Sequence, residues 1–212
     1  NSEIFFKYYL FLLKKMELVF ATHNEGKVRE IQNIFGDDIK ILSLRDIGYL
    51  EEIPETGSTF NENAFIKAIT IYQIYKKPVF ADDSGLEVRA LDGRPGVYSA
   101  RYAGEGLKNF EPHIFKLLKE LSGVEDRRAR FRTVICFIIN DQTYFFEGII
   151  NGQIIDHQRG DNGFGYDPIF VPDGYTETFA EMDLVEKNKI SHRSQAIHKM
   201  INFIMSESQI SK

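Results

Sequence analysis

The sequence is poor in several things, and each shortage narrows its class. In 212 residues it holds one cysteine, Cys136, set in the apolar run "TVICFIIN". A lone thiol makes no internal disulfide, so it reads as a core residue of a protein from a reducing compartment, the cytoplasm. Positive charge is not in excess either. Lys and Arg number 26 against 31 Asp and Glu, a net charge of −5, so no overall field recruits nucleic acid. A ligand with several phosphates would be held by local cations and a metal ion. No apolar run is long enough to span a bilayer. The stretch "NSEIFFKYYLFLLKK" is interrupted by Lys7, and Lys14 and Lys15 follow its apolar part, where a signal peptide carries its cations in front. No membrane partner is expected. Internal repeats, low-complexity tracts and long linkers are also missing, which argues for one compact unit.

What is there reads as alternating strands and helices. Met16 stands directly before the strand-like "ELVFA", so residues 1–15 are read as an extension forming a short helix without a catalytic part. A single domain is expected over 16–205, followed by a tail over 206–212. Strands are predicted at 16–21, at 39–44 and at "PVFA" (78–81). The segment 26–36 has helical spacing at Val28, Ile31, Ile34 and Phe35 and closes on Gly36. A long helix over 58–77 stops before Pro78 and carries Phe60, Ala64, Ala68, Ile71 and Tyr75 as its apolar stripe. A further helix is expected at 108–123, then two long strands at 129–140 and 142–155 joined by the turn Asn140-Asp141. The last helix starts near Ser191, with Ile197, Met200, Ile201 and Ile204 on one face. The mixture of helices with a long antiparallel hairpin points to an α/β fold with a mixed sheet.

Chemistry concentrates in four places. In "FADDSGLEVRAL" an apolar approach runs into Asp82 and Asp83. Neighbouring carboxylates repel, so such a pair is either a solvated turn or is compensated by a metal, a lysine or backbone amides. On extended chain the two point to opposite sides, so one should face a ligand while the other anchors. "ATHNEGKVRE" joins a strand to a helix through a polar turn, where free amides and the helix dipole favour an anion. It lacks the Walker A pattern, with Ala21 and Val28 at two of the required positions. By itself, Asn24 reads as a helix cap and Lys27 as a surface charge. On the long helix Thr59, Asn63 and Lys67 recur every four residues, with Glu55 just ahead of the helix start. Glu55 is either dipole compensation or an oxygen ligand for Mg²⁺. Finally, "GDNGFGYDPIF" sets Phe164 and Tyr166 among glycines, either a stacking platform for a base or a tight turn with core aromatics. "EKNKISHRSQA" adds Lys187, His192 and Arg193, suited to a phosphate or a base edge.

Taken together, "ATHNEGKVREI", "ETGSTFNENAFIKA", "ADDSGLEVRALDGRPGVYSARYAGE", "GFGYDPIF" and "EKNKISHRSQA" resemble, in order and spacing, the inosine triphosphate pyrophosphatase family, the XTP/dITP diphosphatases. The likeness runs from about Met16 to Met205. It implies an elongated mixed β-sheet flanked by helices, two lobes with an active-site cleft between them, and a homodimer. The implied reaction is Mg²⁺-dependent hydrolysis of ITP, dITP or XTP to the monophosphate and pyrophosphate. By motif, Asp83 would be general base and metal ligand, and Glu55 a second ligand. Thr22, His23, Asn24, Glu25, Gly26, Lys27 and Ser84 would hold phosphates, with Lys67 adding charge. Phe164, Gly165, Tyr166, Asp167, Lys187, His192 and Arg193 would bind the nucleoside. His23 stands where many members have glycine, and Asn162 lies in a loop that is often richer in glycine. Two alternatives are a pyrophosphatase for modified pyrimidine nucleotides and a catalytically silent nucleotide-binding module. The second would have lost a metal carboxylate or a phosphate lysine, and Glu55, Asp83, Lys27 and Lys67 are all present.

Overall fold

The computed structural model describes residues 17–35, 40–107 and 109–210. Six strands form one sheet in the order β2-β1-β3-β4-β5-β6. They are β1 (Leu18–Phe20), β2 (Ile41–Ser43), β3 (Val79–Val88), β4 (Arg128–Ile139), β5 (Gln142–Ile154) and β6 (Phe170–Pro172). Strand β1 is parallel to β2 and β3, while β5 and β6 are antiparallel, so the sheet is mixed as expected. The helices are α1 (Glu25–Phe35), α2 (Phe60–Tyr75), α3 (Glu111–Glu120), α4 (Leu184–Ile190) and α5 (His192–Ile210). The expectations for residues 1–15, for Gly36 and for the end of the tail fall outside the described residues. No described helix is long and apolar enough to cross a membrane.

The chain divides into two compact units. Among the described residues, one contains those from 17 to 83 with 134–147 and 196–210, and the other contains those from 84 to 133 and 148–195. The core of the first unit gathers Leu18, Phe20, Ile31, Phe80, Phe137, Ile197 and Met200. Phe20 and Phe80 stack there with centroids 4.6 Å apart, a contact worth about 1 kcal/mol beyond area burial. The core of the second gathers Leu86, Leu117, Phe131, Tyr166, Phe170 and Phe179.

Local chemistry explains most boundaries. Asn24 caps α1 by accepting from the Lys27 amide at 3.1 Å. Thr59 and Glu62 form a reciprocal capping box that starts α2. The β4–β5 turn puts Asn140 and Asp141 at φ of 50° and 62°, the left-handed pair that a two-residue hairpin needs. One expectation is corrected. The strand expected at 78–81 runs on to Val88, so both aspartates lie inside β3 and not in a turn beyond it. Ladder pairing and burial of Phe80, Ala81, Leu86 and Val88 carry it through the acidic pair. The seven-residue helix α4 is an addition to the predicted elements, started by Asp183, whose side chain accepts from the Glu186 amide.

Candidate active site

In the first unit, the pleat of β3 decides what the aspartates meet. Residues two apart share a face, so Asp82 lies with Phe80, which packs in the same core as Ile31 of α1. Lys27, also on α1, reaches Asp82 Oδ1 at 2.9 Å. Asp83 lies on the other face and meets α2. Asn63 Nδ2 donates to its Oδ2 at 3.0 Å, and Lys67 Nζ stands 3.8 Å from its Oδ1. Lys67 also donates to Glu55 Oε1 at 2.5 Å. The polar stripe at 59, 63 and 67 therefore splits. Thr59 is a cap, while Asn63 and Lys67 are buried against carboxylates.

Three carboxylates share two lysines in this cluster, and both aspartates are almost fully buried. Burial raises the pKa of Asp83, and the charge of Glu55 adds to the rise against the opposing pull of Lys67, Lys27 and Asn63. For Lys67, burial favours the neutral amine, but Asp83, Glu55 and Asp82 outweigh it and hold the ammonium charged. The hard carboxylate oxygens of Glu55 and Asp83 are of the kind that suits a divalent cation such as Mg²⁺. The described residues contain no group of three or more metal-binding side chains.

The remaining residues of the first turn lie open at the start of α1. Thr22 Oγ1 accepts from the Asn24 amide, His23 bonds the Glu51 carbonyl at 2.9 Å, and Glu25 pairs with Arg45 on the surface. Gly26 and Lys27 are half-buried. This clusters a lysine, a helix start and a polar turn.

The second unit assembles the other set. Asp167 Oδ2 accepts from Lys187 Nζ at 2.6 Å and from the Phe164 amide at 2.8 Å. A Cβ at Gly163 would come within 2.2 Å of that same oxygen, so only glycine lets the loop close over the carboxylate. The Lys187 ammonium lies 5.1 Å from the Phe164 ring centre and the Arg193 guanidinium 5.5 Å from it, so the half-buried Phe164 ring meets two cations. Arg193 donates to Ser84 Oγ at 3.2 Å, which puts Ser84 with the Arg193 group. Gly165 follows Phe164 at a φ of 68°. Tyr166 departs from the stacking-platform reading. Its ring is in the core and its hydroxyl donates to the Ser99 carbonyl at 3.0 Å. His192 is buried with its ring parallel to Phe131, 4.8 Å between centroids.

Thr133, Phe131 and Phe179 are part of these arrangements and were missed from the sequence. Thr133 shares a 2.7 Å hydroxyl contact with Ser84, 49 residues away. Nothing local in "RFRTVICF" marks it, because its partner is brought by strand pairing.

Comparisons with known proteins place the chain. The model of the Ham1 family matches residues 18–203. A dITP/XTP pyrophosphatase from Flavobacterium psychrophilum is 51% identical over 188 residues, 89% of this chain and 98% of that protein. One from Bacillus licheniformis is 54% identical, covering 87% of this chain and 95% of that protein. The solved structure of the Staphylococcus aureus Ham1 protein superposes with a TM-score of 0.80 at 44% identity, covering 90% of this chain and 99% of that one. The order of motifs, the mixed sheet and these likenesses agree: the chain belongs to the Ham1 family.

Proposed function

We propose that this chain hydrolyses the non-standard purine nucleoside triphosphates dITP, ITP and XTP to the monophosphate and pyrophosphate. Relatives named dITP/XTP pyrophosphatase, about half identical over nearly their whole length, support the substrate class. The observation that carries the chemistry is the buried Asp83, its pKa raised, set against Asn63, Lys67 and Glu55. A carboxylate with a raised pKa is the better base at neutral pH, because it holds a proton more readily once it has taken one.

We assign the phosphates to the first unit's cluster. Lys27 and Lys67 neutralise phosphate oxygens in ground and transition states, and the amides at the start of α1 add donors. Asp82 pairs with Lys27 at 2.9 Å, so the ammonium is already held when a phosphate arrives. Glu55 and Asp83 would hold Mg²⁺, which when bound supplies further neutralisation of the triphosphate charge. Asp83 takes the proton of the water that attacks the α-phosphorus, and pyrophosphate leaves.

The base is assigned to the second unit's group. Phe164 offers a ring face, and Arg193 offers donors suited to the 6-oxo group of hypoxanthine or xanthine. Adenine presents an amino group there, so those donors would meet another donor. Sites built to pair a polar group reject analogues lacking it by roughly 10⁴–10⁵-fold. A homodimer and a cytoplasmic location complete the proposal. The burial of Cys136, its thiol pushed up to about 12, supports a structural thiol in a reducing compartment.

The test is a panel of ITP, dITP, XTP, ATP and GTP with Mg²⁺ in ¹⁸O-labelled water. The expected products from the first three are the monophosphate, carrying the label, and unlabelled pyrophosphate, with no diphosphate at any time. EDTA should abolish turnover. Label in pyrophosphate would move the attack to the β-phosphorus, and diphosphate with orthophosphate would mean γ-phosphate removal. Equal turnover of ATP would overturn the base assignment.

A further inference from the structure

Asn63 is fully buried on α2, one helical turn before Lys67, and it makes two bonds of opposite sense. Its Oδ1 accepts from the Gly57 amide at 2.8 Å, and its Nδ2 donates to Asp83 Oδ2 at 3.0 Å. These partners fix which way the carboxamide faces. Turned over, it would point an NH₂ group at an N–H and an oxygen at a carboxylate, two repulsive pairs inside the protein. No other short side chain offers an acceptor and a donor from one planar group. Aspartate lacks the donor and leucine lacks both.

The neighbouring residues are shaped around this link. A Cβ on Gly57 would come within 2.8 Å of Asn63 Oδ1 and 2.6 Å of Glu62 Cβ, so the loop lies this close only because residue 57 is glycine. Gly57 lies two residues after Glu55, whose carboxylate meets Lys67. One carboxamide therefore ties the backbone beside Glu55 to the carboxylate of Asp83. With Oδ2 held by Asn63, the other oxygen of Asp83 is turned to the Lys67 side of the cluster.

We propose that Asn63, seated against Gly57, is a positioning residue that orients the Asp83 carboxylate and fixes the Glu55 loop relative to it. It acts through Asp83, and the proposal rests on the assignment of Asp83 as base. Unlike the lysines, Asn63 bears no charge, and its carboxamide is engaged by Asp83 and by the Gly57 amide. Its loss should therefore disturb the orientation of the base far more than the grip on phosphate.

The test compares Asn63→Leu, Asn63→Asp, Gly57→Ala and the double variant Gly57→Ala/Asn63→Leu, with ITP and Mg²⁺, alongside Asp83→Asn. Asn63→Leu should lower kcat about 10–100-fold, the usual effect of removing a group that orients a ligating or catalytic side chain. KM should stay within about threefold, as expected when an interaction serves the transition state alone. Asn63→Asp keeps the acceptor for Gly57 and should still lose kcat, because the donor to Asp83 is gone. Gly57→Ala keeps Asn63 but displaces it, and should lower kcat in the same way. The double variant should be no worse than Asn63→Leu, since both changes break one link. A kcat within about twofold of the parent together with a lowered melting temperature would show a structural role only and overturn the proposal. A rise in KM alone, or independent additive losses, would overturn it too. Near-normal turnover by Asp83→Asn would instead sink the assignment of the base. If Asn63→Leu does not fold, Asn63→Asp and Gly57→Ala decide the matter.

Discussion

Asp82 and Asp83 are neighbours in sequence and have different partners, because a strand turns successive side chains to opposite faces. Asp82 pairs with Lys27 at 2.9 Å. Asp83 meets a neutral amide and a lysine that it shares with Glu55. This difference predicts different kinetics. Asp83→Asn can no longer accept a proton and should lose roughly 10²–10⁴-fold in kcat, the range for removing general base catalysis. Asp82→Asn weakens the hold on Lys27, so KM for ITP should rise while kcat falls less than in Asp83→Asn. Steady-state kinetics of the two variants checks this. An equal loss of kcat in both would mean that both carboxylates act on the reacting atoms.

At the scale of elements, the acidic cluster depends on where α2 begins. Its first turn is held by the box in which Thr59 Oγ1 accepts from the Glu62 amide and Glu62 accepts from the Ser58 and Thr59 amides. That box stabilises the start of the helix, and the burial of Phe60, Ala64 and Ala68 holds the phase that sets Asn63 and Lys67 against Asp83 and Glu55. Thr59→Ala should cost about 1 kcal/mol of stability, read by urea denaturation. Such a loss leaves the helix in register, so kcat should stay close to the parent value. A large kcat loss without a stability loss would mean that Thr59 touches the substrate. The helix itself was legible in the sequence from its apolar stripe, but the capping role of Thr59 was not, since it read there only as part of the polar stripe. Nor was the burial of Asn63 and Lys67, because spacing of four says only that two residues share a face, not which face meets the sheet.

At the scale of the whole molecule, the second unit carries a group whose protonation opposes folding. His113 is buried in α3, and its Nδ1 accepts from the Ala103 amide at 2.9 Å. Burial lowers its pKa from the ordinary 6.5, and the nearby Lys116 adds to the effect. The unfolded chain therefore takes up the proton first, and the stability contributed by neutral His113 is present above pH 6.5. It is lost progressively as the pH falls below that value and through the lower folded pKa, where the hydrogen bond to Ala103 breaks. The melting temperature should fall on acidification in this window, and His113→Gln, which cannot titrate, should flatten that part of the profile. Profiles with the same slope in both proteins would remove His113 as the cause.

What the sequence by itself determined was the set of parts. Apolar periodicity marked the long helices, Asn140-Asp141 marked the hairpin, and five ordered motifs marked the family. These are local signals, written in residues near one another along the chain. What only the tertiary structure decided was pairing. It carried β3 through both aspartates, because strand pairing and burial outweigh the local turn tendency of two acids. It placed Tyr166 in the core and left Phe164 beside Lys187 and Arg193, a choice that loop glycines permit in either direction. It also joined Ser84 to Thr133 and Asn63 to Asp83, 49 and 20 residues apart. Hydrogen bonds across such separations follow from how strands and helices pack, and no run of neighbouring residues encodes them.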